Sequence, residues 1–202
     1  MKEESDVFRI KQLIKEYADE FENRTYLQFW SDYERFETAD TVEELMFYVG
    51  SFEKLRVLKM IKQYCSIEDF AQILCTYWVA GPAGGKLRIL KGLSTEEALS
   101  LFEGIPKELL RPDKGDGNTT IKELPDIITI YRVGRDCNRP SWSTDINRTK
   151  AFVCVGNEML FSGNIRNDKI IAYFDFEEEV VVNPKDIFNL RKEGLARKLF
   201  PG

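Results

Sequence analysis

The spacing of apolar residues changes near Leu124-Pro125, and this change limits the possible folds more than any other feature of the chain. Before it, apolar side chains recur at three- and four-residue intervals, as over residues 7–21, which is the pattern of amphipathic helices. After it, β-rich runs at residues 127–132, 159–163, 169–174 and 179–182 predict strands. We therefore expect an α+β protein, with a helical region over residues 1–123 and a strand-rich region over residues 124–202 that together form one compact unit.

Capping boxes mark helix starts in the first region. Thr41 with Glu44 and Ser94 with Glu97 each place a hydroxyl three residues before a glutamate. Residues 55–64 and 67–78 predict two further helices with a break at Ser66, and residues 144–152 predict one short helix among the strands.

The chain contains no histidine. This excludes Ser-His-Asp triads, Cys-His dyads and histidine-ligated metal sites, so any chemistry must use carboxylates, arginine, lysine, hydroxyls or thiols. The four cysteines form no CxxC pair, which favours buried, reduced thiols. We expect no metal site.

Charge and hydropathy limit the partners. The net charge of −5 argues against bulk nucleic-acid binding, although residues from Asn183 onward carry a local charge of +3. The N-terminus has no apolar signal-peptide core, and no apolar stretch approaches the length of a membrane span. A cytoplasmic protein without a membrane partner is expected.

Polar residues interrupt two of the extended segments. Arg132 follows Tyr131 at the end of an apolar strand, where it would form a structural salt bridge or bind a phosphate or carboxylate. In Ser141-Trp142-Ser143, alternation places both serines on one face and the tryptophan on the other. The hydroxyls could bind a sugar or position a carboxylate, and the residues that follow could also cap the short helix.

Three glutamates precede the valines of the last predicted strand. A solvated turn is the simplest interpretation of such a cluster alone. If the segment is extended, Glu177 and Glu179 share a face, and Glu178 points into solvent. Two neighbouring carboxylates need cations or hydrogen-bond donors nearby, which Arg132 and the serines would supply.

An Arg, then Ser-x-Ser, then Glu-x-Glu on successive strands resembles the Arg–Ser–Glu class of ADP-ribosyltransferases, and especially its small phage and prophage-type members. The resemblance covers residues 127–184 and is carried by IYRVG, SWSTDINRTKAF and AYFDFEEEVVV in the order of the family. It implies a two-sheet β core that forms a cleft for NAD, the co-substrate, without a metal.

The resemblance also implies roles for individual residues. Glu179 would be the catalytic glutamate, which stabilises positive charge on the ribose, and Glu177 would orient or deprotonate the acceptor. Arg132 would bind the phosphate of NAD, with Tyr131 and Gly134 beside it, and Ser141 and Ser143 would hold the ribose and the catalytic glutamate. Trp142 or Phe152 would stack on nicotinamide. Phe174 would begin the loop that recognises the acceptor.

Two departures from the family pattern concern Gly134 and the glutamates. The family usually has glycine directly after the arginine, whereas here Val133 intervenes. The triplet also leaves the register open by one residue, and we favour Glu177 with Glu179 because Glu178 would be paired with Phe176.

The expected function is therefore transfer of ADP-ribose from NAD to a macromolecular acceptor, with a protein arginine favoured by Glu-x-Glu. Such an enzyme could serve as a toxin or a phage–host conflict factor with an antitoxin or immunity partner. The alternatives are an RNA acceptor, NAD glycohydrolysis with water as acceptor, and a catalytically inactive binding or inhibitor module.

Overall fold

Helices form the N-terminal part of the chain and a β-sheet forms the C-terminal part. The computed structural model describes residues 5–20, 33–50, 53–79, 93–110, 121–153 and 158–200. The chain divides into two compact units, Met1–Ile105 and Pro106–Gly202. The α+β class, with the helices N-terminal, is confirmed. Residues 111–120, which precede the predicted boundary between residues 123 and 124, lie outside the described residues.

The described helices of the first unit follow the sequence signals closely. Both capping boxes are present, because Thr41 and Ser94 accept from the main-chain N–H groups of Glu44 and Glu97 and each glutamate bonds back. The α-helices are α1 (Val7–Glu20), α2 (Tyr33–Thr38), α3 (Val42–Phe47), α4 (Lys54–Ile61), α5 (Ile67–Val79) and α6 (Thr95–Ser100).

The predicted break at Ser66 is confirmed. A 3-10 turn, Lys62–Tyr64, follows α4, and the Ser66 hydroxyl then accepts from the N–H of Asp69 in the first turn of α5. The apolar faces of α1–α5 supply most of the fully buried residues described in this unit, including Ile10, Phe36, Leu45, Met46, Leu55, Leu58, Ile61 and Leu74. No helix in the described part of the chain is long and apolar enough to cross a membrane.

The described strands of the second unit form one six-stranded antiparallel sheet in the order β4-β5-β2-β1-β3-β6. The strands are β1 (Ile127–Gly134), β2 (Ser141–Ser143), β3 (Met159–Arg166), β4 (Ile170–Phe174), β5 (Glu179–Val182) and β6 (Phe188–Leu195), and a short helix, α7 (Ala196–Leu199), ends the unit. The 3-10 turns of the unit are Lys107–Leu109, Ile121–Glu123, Arg148–Phe152, Asn167–Lys169, Asp175–Glu177 and Pro184–Asp186.

The pairing between β1 and β2 is the shortest in the sheet. These strands share a single residue pair, Tyr131 with Ser143, whereas β1 pairs with β3 along its whole length. The sheet therefore consists of two three-stranded halves, β4-β5-β2 and β1-β3-β6, joined at one point.

Apolar residues pack on both faces of the sheet. One cluster contains Ile130, Trp142, Val180 and Val182, and the other contains Val133, Leu160 and Ala196. Because side chains alternate along a strand, Ser141, Ser143 and Glu179 project from the face opposite Trp142 and Val180.

The short helix expected over residues 144–152 is smaller than predicted. Only Arg148–Phe152 is helical, as a 3-10 turn. Asp145 accounts for the difference, because its carboxylate accepts from the N–H and the side-chain amide of Asn147 and so forms a turn in place of the first helical residues.

Candidate functional site around Arg132, Ser141 and Glu179

The site is centred on β2, between β1 and β5. Ser141 and Glu179 lie on neighbouring strands and on one face, and the Ser141 hydroxyl donates to Glu179 Oε1 at 2.7 Å. Glu179 is only 3% exposed although it carries a carboxylate. A buried carboxylate requires hydrogen-bond donors, and Ser141 is one that the structure supplies.

Arg132 approaches the same residue from β1. Its Nη1 donates to the main-chain oxygen of Ser141 at 2.7 Å, and its Nε donates to the main-chain oxygen of Asp136 at 3.2 Å. Arg132 is 9% exposed, and burial lowers its pKa to about 10, so it remains charged at neutral pH. Its hydrogen bonds thus use neutral carbonyls, and no described carboxylate forms an ion pair with it.

The unused donors of Arg132 suit an anion. A guanidinium has five N–H donors in a planar fork, and the two bonds above leave Nη2 without an acceptor among the described residues. A buried guanidinium whose described partners are two neutral carbonyl oxygens is a favourable contact for a phosphate or carboxylate.

Ser143 and the residues after it hold the end of β2. The Ser143 hydroxyl accepts from the N–H of Asp145 at 3.1 Å and lies 2.9 Å from the Asp145 main-chain oxygen and 3.1 Å from that of Glu178. Ser143 pairs with Glu179 in the sheet register. Its described contacts are therefore with main-chain groups of the adjoining turns, and Ser141 is the serine that contacts the glutamate side chain.

The glutamate triplet is not an extended segment, and our interpretation of its faces is wrong on this point. Residues Asp175–Glu177 form a 3-10 turn, Glu178 has left-handed backbone angles (φ 51°, ψ 37°), and β5 begins at Glu179. Glu177 is half-buried and precedes the strand.

Glu178 is not the solvated member of the triplet either. Its Oε2 accepts from the Thr144 hydroxyl at 2.7 Å and from the Tyr173 hydroxyl at 3.3 Å. Because of this left-handed conformation, Glu178 does not continue the strand direction of β5. Glu178 therefore contacts Thr144 and Tyr173, whereas Glu179 contacts Ser141.

The remaining predicted site residues have different surroundings. Trp142 is buried in the apolar cluster on the opposite face, where its indole N–H donates to the main-chain oxygen of Arg139, so the structure does not bring it to Ser141 and Glu179. Phe174 is fully buried at the end of β4 and pairs with Glu179 just before the 3-10 turn. Tyr131 packs with Phe152 against the Val133 cluster.

Gly134 ends β1 beside the Arg132 side chain. A Cβ atom at this position would lie 3.5 Å from Nε and Nη2 of Arg132, which is an ordinary contact distance. The glycine therefore leaves space around the guanidinium, but the position of the Arg132 side chain does not require a glycine here. Val133 points to the opposite face and packs in the second apolar cluster. The valine between arginine and glycine therefore has a packing role of its own.

Thr144 and Tyr173 are residues of this region that the sequence did not reveal, and Glu178 was expected to face solvent. Thr144 directly follows Ser-x-Ser, which is a weak positional signal, and Tyr173 carries no signal apart from its place in a strand.

In the described part of the chain, Cys, Asp and Glu residues form no group of three that could hold a metal ion. Comparison of the chain with protein-family models, with curated proteins and with solved structures finds no match.

Proposed function

We propose that the chain is an ADP-ribosyltransferase of the Arg–Ser–Glu class, which moves ADP-ribose from NAD onto a macromolecular acceptor. The observation that carries the proposal is that Ser141 contacts both Arg132 and Glu179, through its main-chain oxygen and its hydroxyl. The three residues come from three separate motifs, and two hydrogen bonds of 2.7 Å join them through Ser141. They are also buried or half-buried, as residues that bind a substrate away from water would be.

Each residue has a chemical task that suits NAD. Arg132 offers its Nη2 donors to a phosphate, and Ser141 fixes the orientation of the Glu179 carboxylate. When the bond between nicotinamide and ribose breaks, positive charge develops on the sugar, and a preorganised carboxylate stabilises that charge. Glu177, in the turn before β5, would orient the acceptor or take its proton.

The narrow junction between β1 and β2 supports a cleft at this place. Arg132 belongs to one half of the sheet, and Ser141 and Glu179 belong to the other. Because only Tyr131 and Ser143 pair across the junction, the two halves can twist apart beside the site. We propose that this arrangement provides the two-sheet NAD cleft of the family.

A protein arginine is the acceptor that we favour, and RNA is the second candidate. Exposed basic residues favour RNA, because Arg191, Lys192, Arg197 and Lys198 are all exposed on β6 and α7. A role as a toxin or phage–host conflict factor in the cytoplasm, with an antitoxin or immunity partner, belongs to the same proposal.

The test is incubation of the purified chain with adenylate-labelled NAD and a cell lysate. Label on protein bands supports protein modification, label on RNA supports the second candidate, free ADP-ribose indicates glycohydrolysis, and unchanged NAD indicates an inactive module.

Glu179→Gln is the decisive variant in this assay. It keeps an oxygen that accepts from Ser141 but removes the charge, so we expect a folded protein that has lost at least about 100-fold in NAD turnover. Glu193→Gln is the matched control, because Glu193 also accepts from a serine of the sheet, Ser162. Full activity of Glu179→Gln, or equal loss in both variants, would remove Glu179 from the proposed catalytic role.

A further inference from the structure

Glu178 has an unusual backbone conformation beside the site. Its φ of 51° is left-handed, and the only other non-glycine residue with positive φ in the described part of the chain is Asn189. Asparagine adopts this conformation readily, whereas a glutamate does so at a cost. Contacts of the Glu178 side chain and main chain must therefore stabilise the turn.

Both neighbouring strands of β5 supply such contacts. From the end of β2, the Thr144 hydroxyl donates to Glu178 Oε2 at 2.7 Å and the Thr144 N–H donates to the Glu178 main-chain oxygen at 2.7 Å. From β4, the Tyr173 hydroxyl lies 3.3 Å from the same Oε2 and 3.2 Å from Asp175 Oδ1, so its single proton is shared between two carboxylates. Burial and these carboxylates raise the pKa of Tyr173, which keeps the phenol a neutral donor.

We propose that Glu178 is a positioning residue, whose carboxylate joins Thr144 and Tyr173 and so fixes the turn that places Glu179 against Ser141. The inference rests on the proposed function, because it concerns the same glutamate. Glu178 acts through the backbone, since a rotation at residue 178 moves the start of β5 and with it the Glu179 side chain. A small displacement of a catalytic group can reduce a rate by about 100-fold.

The variant Thr144→Val tests the contact without changing the backbone of Glu178. It removes the hydroxyl that donates to Glu178 and keeps the side-chain shape. Thr129→Val is the matched control, because the Thr129 hydroxyl donates to Asn164 Oδ1 at 3.3 Å on an exposed part of β1. Glu178→Gln is the conservative variant, because its amide oxygen can still accept from Thr144.

The first measurement is the steady-state kinetics of NAD consumption. For Thr144→Val we expect kcat to fall by about 10-fold or more while KM for NAD stays within about twofold, because the phosphate contact at Arg132 is untouched. Glu178→Gln and Thr129→Val should stay within about threefold of the wild type. A wild-type kcat in Thr144→Val, or equal losses in Thr144→Val and Thr129→Val, would overturn the inference.

The second measurement does not depend on activity. Hydrogen exchange followed by mass spectrometry over residues 174–182 should be faster in Thr144→Val than in the wild type, and unchanged in Glu178→Gln and Thr129→Val. If the wild type leaves NAD intact but exchange is still faster in Thr144→Val, the turn contact is supported and the proposed function fails. Unchanged exchange in Thr144→Val would overturn the contact itself, whatever the kinetics show.

Discussion

Replacement of Arg132 by methionine should separate a substrate-binding arginine from a structural one. Each tenfold change in a protonation equilibrium corresponds to about 1.4 kcal/mol. A pKa lowered by burial to about 10 therefore means that holding the Arg132 charge inside the fold costs about 3 kcal/mol. The variant removes this cost.

The loss of two hydrogen bonds opposes that gain. The acceptors are the main-chain oxygens of Asp136 and Ser141, and each bond from the charged guanidinium should be worth about 1.5–2 kcal/mol. The free energy of unfolding should therefore stay unchanged or fall by about 1 kcal/mol in Arg132→Met. A structural arginine, whose contacts outweigh the cost of burying its charge, would give a larger loss.

Urea unfolding of the sheet unit measures this difference. The chain has three tryptophans, and a background with Trp30→Phe and Trp78→Phe leaves Trp142, in the sheet, as the only tryptophan fluorophore. Arg166→Met is the control, because the exposed Arg166–Asp168 ion pair should contribute less than about 1 kcal/mol.

Ligand binding provides the second half of the test. NAD or inorganic pyrophosphate at about 100 times its Kd should stabilise the wild type by about 2.7 kcal/mol, and should not stabilise Arg132→Met. A variant that loses more than about 2 kcal/mol of stability, or that binds NAD as the wild type does in calorimetry, would refute the assignment of Arg132 as an anion ligand.

Three further predictions concern single charged side chains. Glu177→Gln should reduce transfer to the acceptor more than hydrolysis of NAD, and equal loss of both in the labelled-NAD assay would contradict an acceptor role. Lys62→Met should lower the free energy of unfolding by about 2–4 kcal/mol, because the Lys62 ammonium donates to the main-chain oxygens of residue 100, at the end of α6, and of residues 101 and 103 after it. Lys59→Met is the control, because the exposed ion pair between Lys59 on α4 and Glu97 on α6 should contribute less than about 1 kcal/mol in urea unfolding. Burial lowers the pKa of Lys54 to about 8. Above that pH the unfolded chain binds more protons than the folded chain, so the free energy of unfolding of the wild type, relative to that of Lys54→Met, should rise between about pH 8 and pH 10.

The sequence predicted the elements whose signals are local. The capping hydroxyls of Thr41 and Ser94 satisfy main-chain N–H groups within the same turn, so no distant contact is needed to predict them. Strands β1, β3, β4 and β5 are apolar enough to be recognised by composition alone. Strand β6 was not predicted, because it is an exposed edge strand and the charged run Arg191–Glu193 conceals its pattern.

The order of the polar motifs was a better guide to the site than the local conformation of the glutamates. Ser141 and Glu179 meet because β2 and β5 are neighbours, and alternation along β2 gave the correct face for the serines. The bend at Glu178 could not be predicted, because neither glycine nor asparagine marks it. It depends on hydroxyls from Thr144 and Tyr173, which are distant in sequence or carry no pattern.

The position of Ser141 between Arg132 and Glu179 suggests why the site uses three residues and not two. A buried arginine and a buried glutamate in direct contact would satisfy each other and leave little bonding capacity for a substrate. Here the main-chain oxygen of Ser141 holds the guanidinium and its hydroxyl holds the carboxylate, and the two charged groups form no ion pair in the described structure. Arg132 and Glu179 still influence each other, since the glutamate raises the pKa of the arginine against the larger effect of burial. A neutral residue thus holds a buried cation and a buried anion through separate atoms, which is an arrangement that the proposed binding and cleavage of NAD would use.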